Sequence, residues 1–205
     1  KHWCYWAIPM LVMPVIFLMF YLGYNADNHI ARFSQRDFSL YERLLSEPRV
    51  LLDYIGKIIF PAYTPGLFFD DFQISKSLLS PATTLLSLIS LTAALVASLI
   101  LRKKLPVLSF AVLWFLAGHL LESTVLPLEI YFEHRSYLPM LGVILAISFY
   151  AEKLTAGNRK ALIIGWTIVI TTLAVTTWQH SNTWGDRTQL ITEIAKNQPH
   201  SVRAQ

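Results

Sequence analysis

Between residues 119 and 139 the chain reads HLLESTVLPLEIYFEHRSYLP. Three carboxylates (Glu122, Glu129, Glu133), two histidines (His119, His134) and Arg135 fall within seventeen residues there, between long and almost uncharged apolar runs. Ionisable groups beside hydrocarbon are costly, so such a cluster marks a cavity or a polar substrate site rather than a plain linker. Three chemistries suit these residue types. The guanidinium of Arg135 offers a planar fork of donors matched to phosphate oxygens, and His134 can add another, so one ligand is an anionic head group. The two histidines and three glutamates can hold a divalent metal, Mg²⁺ or Mn²⁺ given the oxygen donors, although their spacing follows no established ligand pattern. Glu133 with Arg135, and His119 with Glu122 three residues on, can instead be neutralising pairs that let polar side chains sit at membrane depth. Proton transfer by Glu133 or His134 has only a carboxylate beside a histidine behind it.

The elements that must position this stretch are apolar helices. Of the 205 residues 54% are hydrophobic and 15% charged, where a soluble domain carries about 25% charged residues. The composition predicts an all-α polytopic membrane helix bundle. Continuous rather than alternating apolar runs argue against a transmembrane β-barrel. Five runs are long enough, or nearly so, to cross a hydrocarbon core of about 30 Å: 5–24, 81–101, 105–121, 137–151 and 161–178. Trp3, Tyr5 and Trp6 open the first, Tyr21 and Tyr24 close it, and Trp178 closes the last, positions that suit headgroup-level rings. The single cysteine, Cys4, excludes a disulfide framework and a thiolate metal cluster.

The net charge of +4 does not point to nucleic acid, because the basic residues sit at the ends of the apolar runs. Arg102, Lys103 and Lys104 fill one tight turn, Lys153, Arg159 and Lys160 another, and Lys1 precedes the first run. With these on the cytoplasmic face, the positive-inside rule puts residue 1 inside, residue 205 outside, and loops 25–80 and 122–136 on the exoplasmic face. In the long loop, Phe38, Tyr41, Leu44 and Leu45 predict a short helix that Pro48 ends. A second helix then carries Leu51, Tyr54, Ile55, Ile58 and Ile59 on one face and Arg49, Asp53 and Lys57 on the other. That pattern predicts a helix lying in the membrane interface, its i,i+4 ion pairs on the wet side. Residues 179–187 read as a polar turn and 188–197 as a further amphipathic helix, within an exoplasmic tail of 179–205. The chain opens at Lys1 without a Met and stops inside a helical pattern, so it reads as part of a longer protein.

The run Phe132-Glu133-His134-Arg135-Ser136-Tyr137-Leu138-Pro139 resembles the FEHRxYLP signature of the transmembrane and tetratricopeptide-repeat proteins, a family with eukaryotic O-mannosyltransferases and many bacterial members. Pro48-Arg-Val-Leu-Leu-Asp-Tyr, Phe60-Pro61, Asp70-Asp71 and Ser80-Pro81 resemble the loop ahead of a later helix in that family, and 184–205 matches the place where its repeats begin. The resemblance implies a GT-C-like membrane domain over 1–178, in a bacterial inner membrane or, alternatively, the endoplasmic reticulum. Such an enzyme moves a sugar from a polyprenyl-phosphate carrier to a protein or glycan acceptor. It further implies a donor-phosphate site built from Arg135, His134 and Tyr137, with Glu129, Glu122 and His119 nearby, and a catalytic carboxylate ahead of residue 1. The other class in view is a non-catalytic membrane anchor for a repeat array that binds partner proteins.

Overall fold

The computed structural model describes residues 36–61, 72–120, 122, 123, 126, 128–155 and 157–197, and positions 20, 23, 24 and 33. It divides into Lys1–Leu40 and Tyr41–Gln205. In the first part Phe20 stacks on Tyr24 at 6.2 Å and Phe33 meets Phe38 edge-on at 6.4 Å. Positions 20, 23 and 24 are helical. The rest of the first expected span, 5–24, lies outside the described residues, as do Asp70 and Asp71.

The second part holds α1 (Leu40–Ile59), α2 (Thr83–Leu101), α3 (Pro106–His119), a 3-10 turn (Glu133–Ser136), α4 (Met140–Leu154), α5 (Arg159–Gly185) and α6 (Arg187–Asn197). The chain is all-helical: among the described residues there is no strand, only a bridge between Ser77 and Ser80. Among the described residues two helices are long and apolar enough to cross a membrane, α2 and α5. α2 has no charged residue. Its serine hydroxyls turn back onto the helix, Ser87 to Thr83 O at 2.7 Å, Ser90 to Leu86 O at 2.8 Å and Ser98 to Leu95 O at 2.7 Å, so none faces hydrocarbon unbonded. The expected spans 105–121 and 137–151 are realised as shorter helices of 14 and 15 residues, roughly 21–23 Å at 1.5 Å per residue.

α2, α3 and α4 form an antiparallel layer, with Pro106 starting α3 at a position where its missing N–H costs nothing. The α3–α4 seam is closely packed. Trp114 Nε1 donates to Leu138 O at 3.0 Å, and a Cβ on Gly142 would stand 2.9 Å from Trp114 Cδ1 and 3.2 Å from Ala111 O. Gly142→Ala is therefore expected to pry α4 off α3 and cost about 1–3 kcal/mol by overpacking, read as a lower melting temperature of the detergent-solubilised protein.

Three expectations are corrected. Pro48 does not end a helix; α1 runs unbroken through it. Proline removes one backbone bond and strains the turn before it, yet Arg43, Ser46 and Glu47 ahead of it and Val50, Leu51 and Tyr54 after it are all buried, so packing holds both halves. Leu51 and Tyr54 thus face protein, not membrane. Residues 179–185 are helix, not turn, extending α5 to 27 residues. The break comes at Asp186, whose Oδ1 accepts from Thr188 N at 2.9 Å and Gln189 N at 3.2 Å and so caps α6.

Candidate functional site

The loop between α3 and α4 is built onto α1. Arg43, Glu47, Val50, Leu51 and Tyr54 follow one another at helical spacing and form a single buried stripe. Arg43 has no exposed surface. Its Nη1 donates to Leu128 O and its Nη2 to Glu122 O at 2.6 Å, while Nη2 lies 2.9 Å from Glu47 Oε1. One guanidinium thus fixes two points of the loop backbone. Burial pushes Glu47 up to about 7, against the opposing pull of Arg43, a hydrogen bond from Ser123, and Arg135. Its Oε1 is at pairing distance from Arg43 but outside hydrogen-bonding geometry, which is why the pair compensates burial only in part.

Two turns past Glu47 along α1, the Tyr54 hydroxyl accepts from Phe132 N at 2.7 Å. Its ring lies 5.7 Å from His119 and 5.1 Å from Tyr131. Tyr131 donates its phenol to Asp53 Oδ2. Burial raises both phenols well above the ordinary tyrosine range. Lys57 closes the set: Nζ is 2.5 Å from Glu133 Oε1, 3.8 Å from Asp53 Oδ2 and 5.0 Å over the Tyr131 ring.

Held at these points, the segment ahead of Glu133 is not helical and residues 133–136 make the 3-10 turn. Glu129 and Glu133 therefore do not share a helix face. The turn seats on the end of α3, where Ser136 Oγ is 3.5 Å from His119 Nε2. His119 is 2% exposed, and its Nδ1 lies 3.1 Å from Phe115 O. A carbonyl only accepts, so Nδ1 carries the proton and Nε2 faces the serine. Arg135 Nη1 donates to Glu129 O at 2.5 Å, and Nε stands 3.7 Å from Glu122 Oε2, with the guanidinium 5.7 Å from the Phe132 ring. His134 is exposed and meets Phe132 edge-on at 4.5 Å. Tyr137 is 75% exposed.

Neither expected neutralising pair forms. Glu133 pairs with Lys57 rather than Arg135, and Glu122 with Arg135 rather than His119. Backbone turns decide this: residues adjacent in sequence diverge at the 3-10 turn, and His119 is directed into the α3 end. Among the described residues no group of three His, Cys, Asp or Glu side chains converges on one point. Mg²⁺ or Mn²⁺, which wants several oxygen donors, does not fit this arrangement.

Of the side chains that shape the loop, sequence reasoning named Asp53, Tyr54 and Lys57 only as faces of an interfacial helix and did not single out Arg43, Glu47 or Tyr131. Of the row Arg49, Asp53 and Lys57, expected to face water, Asp53 stays exposed while Arg49 and Lys57 bond to protein: Arg49 Nη1 donates to Gln73 O at 2.6 Å and Ser75 Oγ at 3.2 Å. A signal was present for Arg43 and Glu47. They stand four apart on the stripe of Val50, Leu51 and Tyr54, where a charge is out of place unless it is partnered inside. No family model matches the chain, and neither the curated proteins nor the solved structures give a match.

Proposed function

We propose that this chain is the membrane part of a GT-C type glycosyltransferase, a bundle of about five spans that takes sugar from a polyprenyl-phosphate carrier at the exoplasmic face. The supporting observation is the 3-10 turn at the junction of α3 and α4, which carries Arg135 and presents His134 and Tyr137 outward. Arg135 is the phosphate ligand in this reading. Its 3.7 Å separation from Glu122 is loose, so a phosphate oxygen at hydrogen-bond distance takes the closer position. His134 adds a second donor and Tyr137 a surface for the carrier or sugar. Glu133, held by Lys57, and His134 are the chain's own candidates for moving the acceptor proton, beside the carboxylate that the resemblance puts ahead of residue 1.

The test is Arg135→Ala and Arg135→Lys in the full-length protein in native membranes, following sugar transfer from a polyprenyl-phosphate donor. Arg135→Ala is expected to lower transfer roughly 10–150-fold, the worth of one hydrogen bond to a charged group, with Arg135→Lys between. Unchanged transfer at normal expression removes the phosphate role. The second reading, a membrane anchor for a partner-binding helical array, draws on the α5–α6 pair, which turns at Asp186 and packs on itself. It predicts no transfer by the wild-type protein and loss of partner binding when α6 is deleted.

A further inference from the structure

Beside its buried stripe, α1 carries an apolar arc that is exposed or half-exposed. At 100° per residue, Tyr41, Leu52 and Ile59 lie on the side away from the buried stripe of Arg43, Glu47, Val50 and Tyr54, and Leu44 and Ile55 lie roughly at right angles to it. Tyr41 is 60% exposed, Leu44 45% and Ile59 47%, and Phe60 just beyond the helix is 77% exposed. The charged arc, Glu42, Arg49, Asp53 and Lys57, runs along one flank. Arg49 and Lys57 of that flank reach protein partners, while Tyr41, Leu44 and Ile59 look out and Leu52 and Ile55 are half-buried.

Its location says what the outer arc meets. α1 is bonded to the segment that opens α2, through Ser75 N to Ser46 Oγ at 2.8 Å, while Ser75 Oγ lies 2.7 Å from Thr84 Oγ1 on α2 itself. It is also bonded to the loop joining the end of α3 to the start of α4, through Arg43, Tyr54 and Lys57. In the antiparallel layer these three helix ends lie on one side, and the basic turn Arg102–Lys104 lies on the other. α1 therefore sits across the ends of the apolar helices, where hydrocarbon-facing surface gives way to polar loop. Exposed apolar surface is continuous toward it: Leu86 and Ile89 on α2 are 64% and 55% exposed, and Leu78 and Leu79 in the segment α1 grips are 42% and 69% exposed.

We propose that α1 docks on the lipid surface, its arc of Tyr41, Leu44, Leu52, Ile55 and Ile59 seated at the headgroup–acyl boundary. An apolar stripe beside a charged flank is the pattern of a helix lying in that plane. Through its opposite face α1 holds the ionisable loop at the same depth. The proposal rests on α2 and α5 crossing the bilayer and is independent of sugar transfer.

The test uses single cysteines in the full chain with Cys4→Ser, reconstituted in vesicles of phosphatidylethanolamine and phosphatidylglycerol. Leu52→Cys, Ile55→Cys and Ile59→Cys report the arc. Gln189→Cys on α6 is the water reference and Ile170→Cys within α5 the lipid reference. A thiol in an apolar setting is slow to ionise, so the three arc positions are expected to react with a membrane-impermeant maleimide at least about tenfold more slowly than position 189. A bimane label at each is expected to be quenched when the acyl chains are brominated near the headgroup. Labelling as fast as at position 189 overturns the proposal. Slow labelling without bromine quenching overturns it too, since the arc is then covered by protein, a second copy or another segment of the chain. A fast, unquenched position 170 overturns the membrane embedding beneath it, whatever the sugar-transfer assay gives.

Discussion

Arg43→Ala is expected to be the most destabilising single substitution in the loop assembly. Removing one member of a buried ion pair costs about 3–5 kcal/mol. Here Glu47 softens the loss by taking a proton, but the Glu122 and Leu128 carbonyls lose their donor and a guanidinium-sized void opens against α1. About 3 kcal/mol is the expected total, which lowers the melting temperature of a unit this size by roughly 6–12 °C. Intrinsic fluorescence of the detergent-solubilised protein measures it. Arg43→Lys should fall between, because a single ammonium cannot span two carbonyls and a carboxylate in one plane. Arg43→Met with Glu47→Leu should recover part of the loss, since no buried charge is left alone. A wild-type melting temperature for Arg43→Ala would refute the role of Arg43 in fixing the loop.

The second large effect is a pH dependence carried by Glu47. Burial lifts this carboxyl from 4.5 to about 7, so between those values the folded protein keeps a proton that the unfolded chain has released. Stability therefore falls as pH rises through about 4.5 to 7 and levels off above, by about 3 kcal/mol at 1.36 kcal/mol per pKa unit. Glu47→Gln keeps an amide that can bond Ser123 and Arg43 and cannot ionise. Its stability relative to wild type is expected to be near zero at pH 4.5 and to rise to about 3 kcal/mol in favour of the variant by pH 8. Taking the difference between the two proteins cancels every other titration. A difference that stays flat across that range would show that Arg43 holds Glu47 ionised throughout.

Much of the frame could be read before any coordinates, because long apolar runs and tight basic turns are local features. The runs behind α2 and α5, the turn at Arg102–Lys104, the break between α4 and α5 that Lys153, Arg159 and Lys160 flank, and the amphipathic α6 all follow from composition and period. The site was legible only as a stretch. Its pairings join residues far apart in the chain, Arg43 to Leu128, Tyr54 to Phe132 and Lys57 to Glu133, whereas charge reading along a sequence pairs neighbours. For α1 the period predicted one apolar face, Leu51, Tyr54, Ile55, Ile58 and Ile59, set in the membrane interface, whereas Leu51 and Tyr54 are buried against protein and Ile59 is exposed. Which face goes inside depends on Arg43 and Glu47 finding carbonyls and hydroxyls on a loop some eighty residues away. The continuation of α5 past residue 178 was missed because Gln179, His180 and Ser181 look like a turn. They have no glycine or proline to stop the helix, which ends only after Gly185.

The two arginines of the site grip main-chain oxygens, Arg43 those of Glu122 and Leu128 and Arg135 that of Glu129. Every amino acid brings a carbonyl, so the curve of the loop is anchored to atoms that substitution at positions 128 and 129 does not change. The outline of the recognition surface is in this way inherited separately from its chemistry. A lineage can exchange what that surface displays, and with it the molecule it selects, without relearning how to fold the loop, as long as the two guanidiniums stay.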